Sequence, residues 1–555
     1  MKSLLSILLI TTALLLNAQV APDKYFVKFT DKNNSPYSID QPEEFLTQRA
    51  IDRRDRYGIE ITEQDIPVNP GYLDGVATTG AQLLNATKWL NGVTIYTDDP
   101  AVLDAISELP YVEGTYKASR SRAGVKPKPF FAPEYIVTEN YEYQTFKSGN
   151  ELDYGGAYNQ IEMLNGIPLH NNGYRGQDMV IAVLDAGFMN TDYLEVFDTL
   201  WNNNRILGSK DFVDHSGTVY DYSSHGTSVL STMGGYIAGE LIGTAPDASY
   251  WLLRSEESIN GSPENLIEEY NWVSAAEFAD SVGADLINSS LGYTEFDDPE
   301  MNHTYEDLDG NTTVITRGAD IAASKGILVV NSAGNSGGSL WYYVGAPADG
   351  DSVFSIGAVT PEGELAGFSS HGPTADGRIK PNVVGQGAPA HVAYAFGGYG
   401  GGYGTSFSSP VIAGMTACLW QAHPWKNNYE IMMAIEQSAS LAGDPNNDFG
   451  YGIPDYNMAF TILSVNNQDE SGSGLILYPN PVDNRLFIQV QVDTVDSLFI
   501  SILDETGKLV YSATYETPYI GTQIIPIDAV ANFSSGVYFV EVISTGKVLT
   551  GKFIK

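Results

Sequence analysis

Between residues 155 and 465 short apolar runs alternate with stretches of helical spacing, and no other feature of the chain constrains the fold as much. MVIAVLDAGF (179–188), ASYWLLRS (248–255), ADLINSSLGY (284–293), GILVVNSAGN (326–335) and SVFSIGAVT (352–360) read as buried strands. AAEFADSV (275–282), GADIAASKG (318–326) and SSPVIAGMTACLWQA (408–422) read as the helices between them. A strand whose two faces are both covered is apolar throughout, and parallel neighbours need a crossover between them. The alternation therefore predicts an α/β domain with a mostly parallel sheet and helices on both faces.

At 555 residues the chain is too long for that core alone. Residues 1–18 hold Lys2 and then an apolar run from Leu4 to Leu16, too short to span a bilayer comfortably, which reads as a secretory signal cut after Ala18. Residues 19–122 read as a small α/β module. YFVKF (25–29) and WLNGVTIY (89–96) alternate like strands, and EFLTQRAIDRRDRYGI and AVLDAISELPYV have helical spacing. Arg49, Arg53, Arg54 and Arg56 make the first helix basic. Two readings stay open for it: a solvated face, or a surface that docks on the acidic remainder. Residues 123–154 read as a linker or processing region, and 466–474 as a flexible polar linker. Residues 475–555, with LFIQVQV, SLFISILD, KLVYSATY and GVYFVEVI, predict a small β-sandwich.

Acidic residues outnumber basic ones 68 to 29, for a net charge of −39. Nucleic acid and anionic membrane surfaces both call for the opposite sign. A single cysteine, Cys418, excludes an internal disulfide framework and multi-cysteine metal sites.

Three chemical groups stand at strand ends or helix starts, where α/β folds place their sites. Asp185 closes VIAVLD, His225 opens HGTSVLSTMGG, and Ser406 lies in GTSFSSP. Each has an ordinary structural explanation: a turn cap, a core histidine, a helix cap. Together they supply what acyl transfer needs: an attacking hydroxyl, an imidazole to take its proton and a carboxylate to orient the imidazole. Asn335, after the strand GILVV, offers an amide to a developing oxyanion, and the backbone N–H of Ser406 offers a second donor.

VLDAGF, HGTSV, SAGNSG and GTSFSSP, in that order, resemble the subtilisin-like serine proteases, or subtilases, as do FSSHGPTADGRIKPNVVGQG and FGYGIPD. The resemblance covers roughly residues 155–463. It implies Asp185 as orienting acid, His225 as general base and acid, Ser406 as nucleophile and Asn335 as oxyanion donor. It also implies a primary specificity pocket walled by Ser290, Leu291 and Gly292 and by Ser332, Ala333 and Gly334, with Gly345 at its floor. Small walls favour a large apolar or aromatic side chain before the cut bond; the same glycines would equally serve tight turns. Phe407 follows the nucleophile where many subtilases carry an oxidisable Met, which implies resistance to peroxide.

The N-terminal module resembles the inhibitory propeptides of subtilases, so the expected product is a zymogen with its propeptide as intramolecular inhibitor; a retained accessory domain is the alternative. LYPNPVDNRLFIQV, SILDETGKLV, GVYFVEV and the ending GKFIK resemble C-terminal sorting domains of the type IX secretion pathway. A carbohydrate- or protein-binding sandwich is the alternative there. The expectation is a secreted or cell-surface monomer acting on proteins and peptides, partnered by the type IX secretion machinery, with no membrane span once the signal is removed.

Other readings fare less well. A peptide-binding pseudoenzyme predicts a broken triad, and α/β-hydrolases need Gly-x-Ser-x-Gly and place Ser first. The chain has no His-Glu-x-x-His. FGGYGGGYG (396–404) lacks dinucleotide-loop spacing and reads as mobile backbone beside the cleft. The chemistry requires no cofactor. Structural calcium is common in subtilases, and Asp307–Asn311 (DLDGN) has oxygen-rich spacing, though a solvated turn accounts for it as well. No metal ligands are assigned.

Overall fold

The computed structural model describes residues 23–119, 152–215, 217–257, 264–464 and most of 475–555. The signal segment 1–18, nearly all of the 123–154 linker and the 466–474 linker lie outside the described residues.

The N-terminal module is a four-stranded antiparallel sheet with three helices. In chain order these are β1 (Lys24–Phe29), α1 (Gln48–Tyr57), α2 (Pro70–Thr78), β2 (Gln82–Thr87), β3 (Gly92–Tyr96), α3 (Pro100–Ser107) and β4 (Val112–Ser119), with sheet order β2-β3-β1-β4. Thr47 caps the start of α1 by accepting from Ala50 N, and Gly58 ends it in the left-handed conformation at φ 65°. Val27, Phe29, Val76, Val93, Ile95 and Ile106 form the module's own core.

The central domain carries a seven-stranded sheet: β5 (Val180–Asp185), β6 (Ile206–Asp211), β7 (Ser249–Arg254), β8 (Leu286–Ser289), β9 (Leu328–Ser332), β10 (Val353–Val359) and β11 (Val383–Gln386). Their spatial order is β11-β10-β9-β8-β5-β7-β6, and every pairing is parallel. Four helices matter for the site: α4 (His225–Gly234), α5 (Ile267–Ser281), α6 (Val314–Ser324) and α7 (Thr405–Ala422). Alternation along β5 divides the interior in two. Ile181 and Val183 join the core with α4 and α7, while Val180, Ala182 and Leu184 join Trp272, Val273, Ile315 and Ala319 of α5 and α6.

FGGYGGGYG departs from its reading as mobile backbone. Ala390–Ala393 and Tyr399–Gly402 pair as an antiparallel hairpin, and the glycines permit close packing. A Cβ on Gly400 would sit 2.1 Å from the Tyr394 hydroxyl, and one on Gly402 would sit 2.8 Å from the Phe407 ring.

The N-terminal sheet docks on α5, and the basic helix docks with it. Arg53 and Arg54 are buried, and both donate to Asp280 on α5, Arg53 at 2.5 Å and Arg54 at 2.9 Å. Arg54 also reaches Asp65 at 3.0 Å, and Lys88 reaches Asp280 at 3.3 Å. Glu277, one turn earlier on α5, accepts the backbone N–H groups of Lys88 and Trp89 and the Thr87 hydroxyl. Phe26 stacks on Tyr270, ring centroids 4.6 Å apart. Between the two readings of the basic helix, docking is the one observed.

In the C-terminal region, two antiparallel sheets of three and four strands enclose Leu486, Ile488, Leu498, Ile500, Val540 and Phe553. Among the described residues no helix is long and apolar enough to cross a membrane.

Candidate active site

Asp185 ends β5 at the carboxyl edge of the sheet, and His225 opens α4 next to it. Both are buried, and His225 Nδ1 lies 2.8 Å from Asp185 Oδ1. Asp185 Oδ1 also accepts from Ala186 N at 2.8 Å, which fixes the carboxylate plane. This approach needs glycine after the histidine. A Cβ on Gly226 would lie 2.4 Å from the Gly187 carbonyl oxygen and 3.0 Å from Asp185 Cβ.

The third group arrives on α7. Ser406 is the second residue of that helix and is buried, and its backbone N–H lies at the positive end of the helix dipole. Phe407 brings the helix start to the histidine, its ring centroid 6.0 Å from that of His225. Among the described residues the structure thus gathers Asp185, His225 and the Ser406 segment.

Asn335 comes from the loop after β9. Its Oδ1 accepts from both Thr405 N and Thr405 Oγ1, each at 2.9 Å, and two donors there fix the amide so that Nδ2 faces the other way. A Cβ built on Gly404 would stand 3.5 Å from Asn335 Nδ2 and 3.6 Å from Ser406 N. The two N–H donors therefore flank one small space, kept open because residue 404 has no side chain. Thr405 orients Asn335, a role the sequence reading missed although Thr405 sits inside GTSFSSP.

The predicted pocket segments also meet. Asn331, buried at the end of β9, donates to Leu291 O at 3.0 Å and to Ser332 O at 2.8 Å, which ties the two walls together. Gly345 N donates to Ala333 O at 3.3 Å, and Tyr293 and Ala346 exchange backbone hydrogen bonds. Ser290 Oγ donates to Ser406 O at 2.9 Å. Gly292 lies between Leu291 and Tyr293 on the same wall, and Gly334 opens the turn to Asn335 at φ 108°. Asn331 gave no sequence signal, because an amide inside an apolar strand is more often a packing exception than a tie.

Glu256, just past β7, is buried, and burial pushes its carboxyl up to about 7 against a hydrogen bond from Tyr293. Asp185 adds to that rise, and His225 opposes it. At Asp307–Asn311, the Asp309 carboxylate accepts from Asn311 N, Thr312 N and Thr312 Oγ1, so its own turn engages its oxygens. Among the described residues no three His, Cys, Asp or Glu side chains are grouped to hold a metal ion.

Residues 176–453 match the subtilase family, 24–129 the peptidase S8 propeptide domain of Bacteroidota, and 476–555 a secretion system C-terminal sorting domain. The chain is 30% identical to subtilisin E of Bacillus subtilis over 296 residues, 53% of this chain and 68% of that one. It is 31% identical to a thermophilic serine proteinase of Bacillus sp. strain AK1 over 424 residues, 72% of this chain and 92% of that one. The crystal structure of fervidolysin from Fervidobacterium pennivorans, a keratinolytic enzyme related to subtilisin, covers 97% of this chain and 77% of its own. Its TM-score is 0.55 at 16% identity, a likeness of fold.

Proposed function

Because the chain belongs to the subtilase family and is a serine-type endopeptidase made with a propeptide, we propose that Asp185, His225 and Ser406 are its catalytic triad and Asn335 its oxyanion donor. The observation that carries this reading is the 2.8 Å contact between Asp185 and His225, with the start of α7 packed against the same imidazole. In the proposed reaction Ser406 Oγ attacks the scissile carbonyl carbon as His225 takes its proton. The carbonyl oxygen becomes an oxyanion in the space between Asn335 Nδ2 and Ser406 N. His225 then gives the proton to the leaving amine, the acyl-enzyme forms, and a water activated by the same histidine releases it. Asp185 holds the imidazole with Nδ1–H towards itself, which leaves Nε2 to work.

The same reading assigns Ser290–Leu291–Gly292, Ser332–Ala333–Gly334 and Gly345 to a pocket for a large apolar or aromatic side chain. Buried Leu291 and Ala333 and the absence of a side chain at Gly345 support it. The sorting domain marks the protein for export to the cell surface or the medium. The N-terminal module, bonded to α5 by buried ion pairs, acts as its inhibitor until it is cut.

An intact-mass time course of wild type beside Ser406→Ala tests the reading. Wild type is expected to shed an N-terminal piece ending between residues 115 and 155 while Ser406→Ala stays whole. If both stay whole and neither cleaves casein, the reading fails. Asn335→Gly is expected to keep KM and lower kcat by about 100- to 1000-fold, the size known from subtilisin itself for such a donor. A rise in KM at unchanged kcat would refute that assignment.

A further inference from the structure

β5 carries Asp185 at its end, with β7 on one side and β8 on the other. Arg254, the last residue of β7, lies level with Asp185, and Ser255 donates its N–H to the Asp185 carbonyl at 3.1 Å. The chain leaving β7 thus passes beside the Asp185–His225 pair, and its next residue is the buried Glu256. On the other side β8 ends at Ser289 and runs into the wall Ser290–Leu291–Gly292 and then Tyr293. The Tyr293 hydroxyl donates to Glu256 Oε2 at 3.0 Å. A single hydrogen bond therefore spans the strand that holds Asp185 and joins the exits of its two neighbours.

The wall it steadies leads straight to the nucleophile, through the Ser290 Oγ bond to the Ser406 carbonyl and the Tyr293–Ala346 pairing beside Gly345. Phe296 stacks on Tyr293 at 6.2 Å with planes 10° apart, so the ring that carries the hydroxyl is itself packed. A buried hydroxyl and a buried carboxyl are costly to leave unmatched, so this bond holds its two segments at a set separation. Either protonation state of Glu256 offers the phenol an acceptor oxygen.

We propose that Glu256 is a positioning residue which, through Tyr293, fixes the 290–292 wall relative to Ser406 and sets how firmly the side chain before the cut bond is gripped. This rests on the proteolytic reading above. Neither residue is placed at the reacting atoms, so the effect belongs to substrate binding and selectivity.

The test uses the activated enzyme with two peptide amides, one with Phe and one with Ala before the scissile bond. Tyr293→Phe and Glu256→Ala are each expected to raise KM for the Phe substrate about tenfold at unchanged kcat, the size of one lost buried hydrogen bond. The Ala substrate should respond less, and the double variant should be no worse than the worse single, since both remove one bond. Glu256→Gln keeps an acceptor oxygen and should restore the wild-type KM. Thermal melts accompany each variant; if Glu256→Ala does not fold, Tyr293→Phe, which removes one oxygen, decides alone. Unchanged KM in Tyr293→Phe, additive losses, or a fall in kcat alone would overturn the proposal. An active wild type with indifferent variants sinks this inference only, whereas a wild type that cleaves no peptide sinks the proteolytic reading and this inference with it.

Discussion

Asp280, between the N-terminal sheet and α5, and Glu256, beside the Asp185–His225 pair, are both buried carboxyls, yet burial has opposite outcomes at the two. Burial alone would raise Asp280, but Lys88, Arg54 and Arg53 outweigh it and hold the carboxyl at about 2. At Glu256 burial prevails and the carboxyl rises to about 7. Glu264 and Glu268, close by, are raised well above the usual range, chiefly by burial, with the charge of Glu268 adding at Glu264 and that of Glu256 adding at Glu268. Desolvation is common to both regions, and the neighbours decide the sign. The propeptide contributes cations to a permanent carboxylate, whereas Glu264 and Glu268 are buried among other carboxyls. The first arrangement suits a lock and the second a framework that stays neutral in mild acid.

The largest expected effect comes from neutralising the lock. Asp280→Asn leaves Arg53, Arg54 and Lys88 buried around a neutral amide, and breaking a buried pair in this way costs about 3–5 kcal/mol. Introduced into the uncut Ser406→Ala precursor, it should lower the melting temperature sharply. In the active chain it should speed loss of the propeptide, followed by gel and intact mass. An unchanged melt would mean that the ion cluster adds nothing to docking.

A second, smaller effect is in pH. Glu256 has a folded value of about 7 against an ordinary 4.5, so between those values the unfolded chain ionises while the folded chain keeps its proton. Stability from this group is present at or below pH 4.5 and falls as pH rises towards 7. Asp280 acts in the other direction, its contribution full above about 3.8 and lost as pH falls through about 2. Melting curves of the Ser406→Ala precursor should therefore drop from pH 4.5 to 7, and Glu256→Gln should lessen that slope, the rest belonging to carboxyls such as Glu436 and Asp320 that burial also raises, while leaving the low-pH limb alone. A slope unaffected by Glu256→Gln would show that Glu256 titrates normally.

The smallest effect is an expected indifference. Phe407 is buried against the His225 ring, and no sulfur follows Ser406. Wild type should keep its activity in dilute peroxide, and Phe407→Met should lose activity with time as the sulfoxide forms. Rapid loss in the wild type, traced to the active site, would contradict this.

Much of the domain was legible because buried parallel strands carry an unbroken apolar signature, as in VIAVLD and LVVNS, and because Asp185, His225 and Ser406 sit within short distinctive words. The glycine run at 396–404 misled, since composition cannot distinguish backbone freed by glycine from backbone packed through it. The Tyr394 and Phe407 rings decide that, and they arrive from outside the run.

The sequence by itself determined the layered α/β core, the order in which Asp185, His225 and Ser406 follow one another and the flanking modules, because these depend on local periodicity and on neighbouring residues. Only the tertiary structure decided that Arg53 and Arg54 close on Asp280, more than 220 residues away. It alone turned the Asn335 amide through Thr405 and joined Glu256 to Tyr293. Hydrogen bonds and ion pairs act over a few ångströms whatever the separation along the chain, so their partners, and the acidities they impose, exist only once the chain has folded.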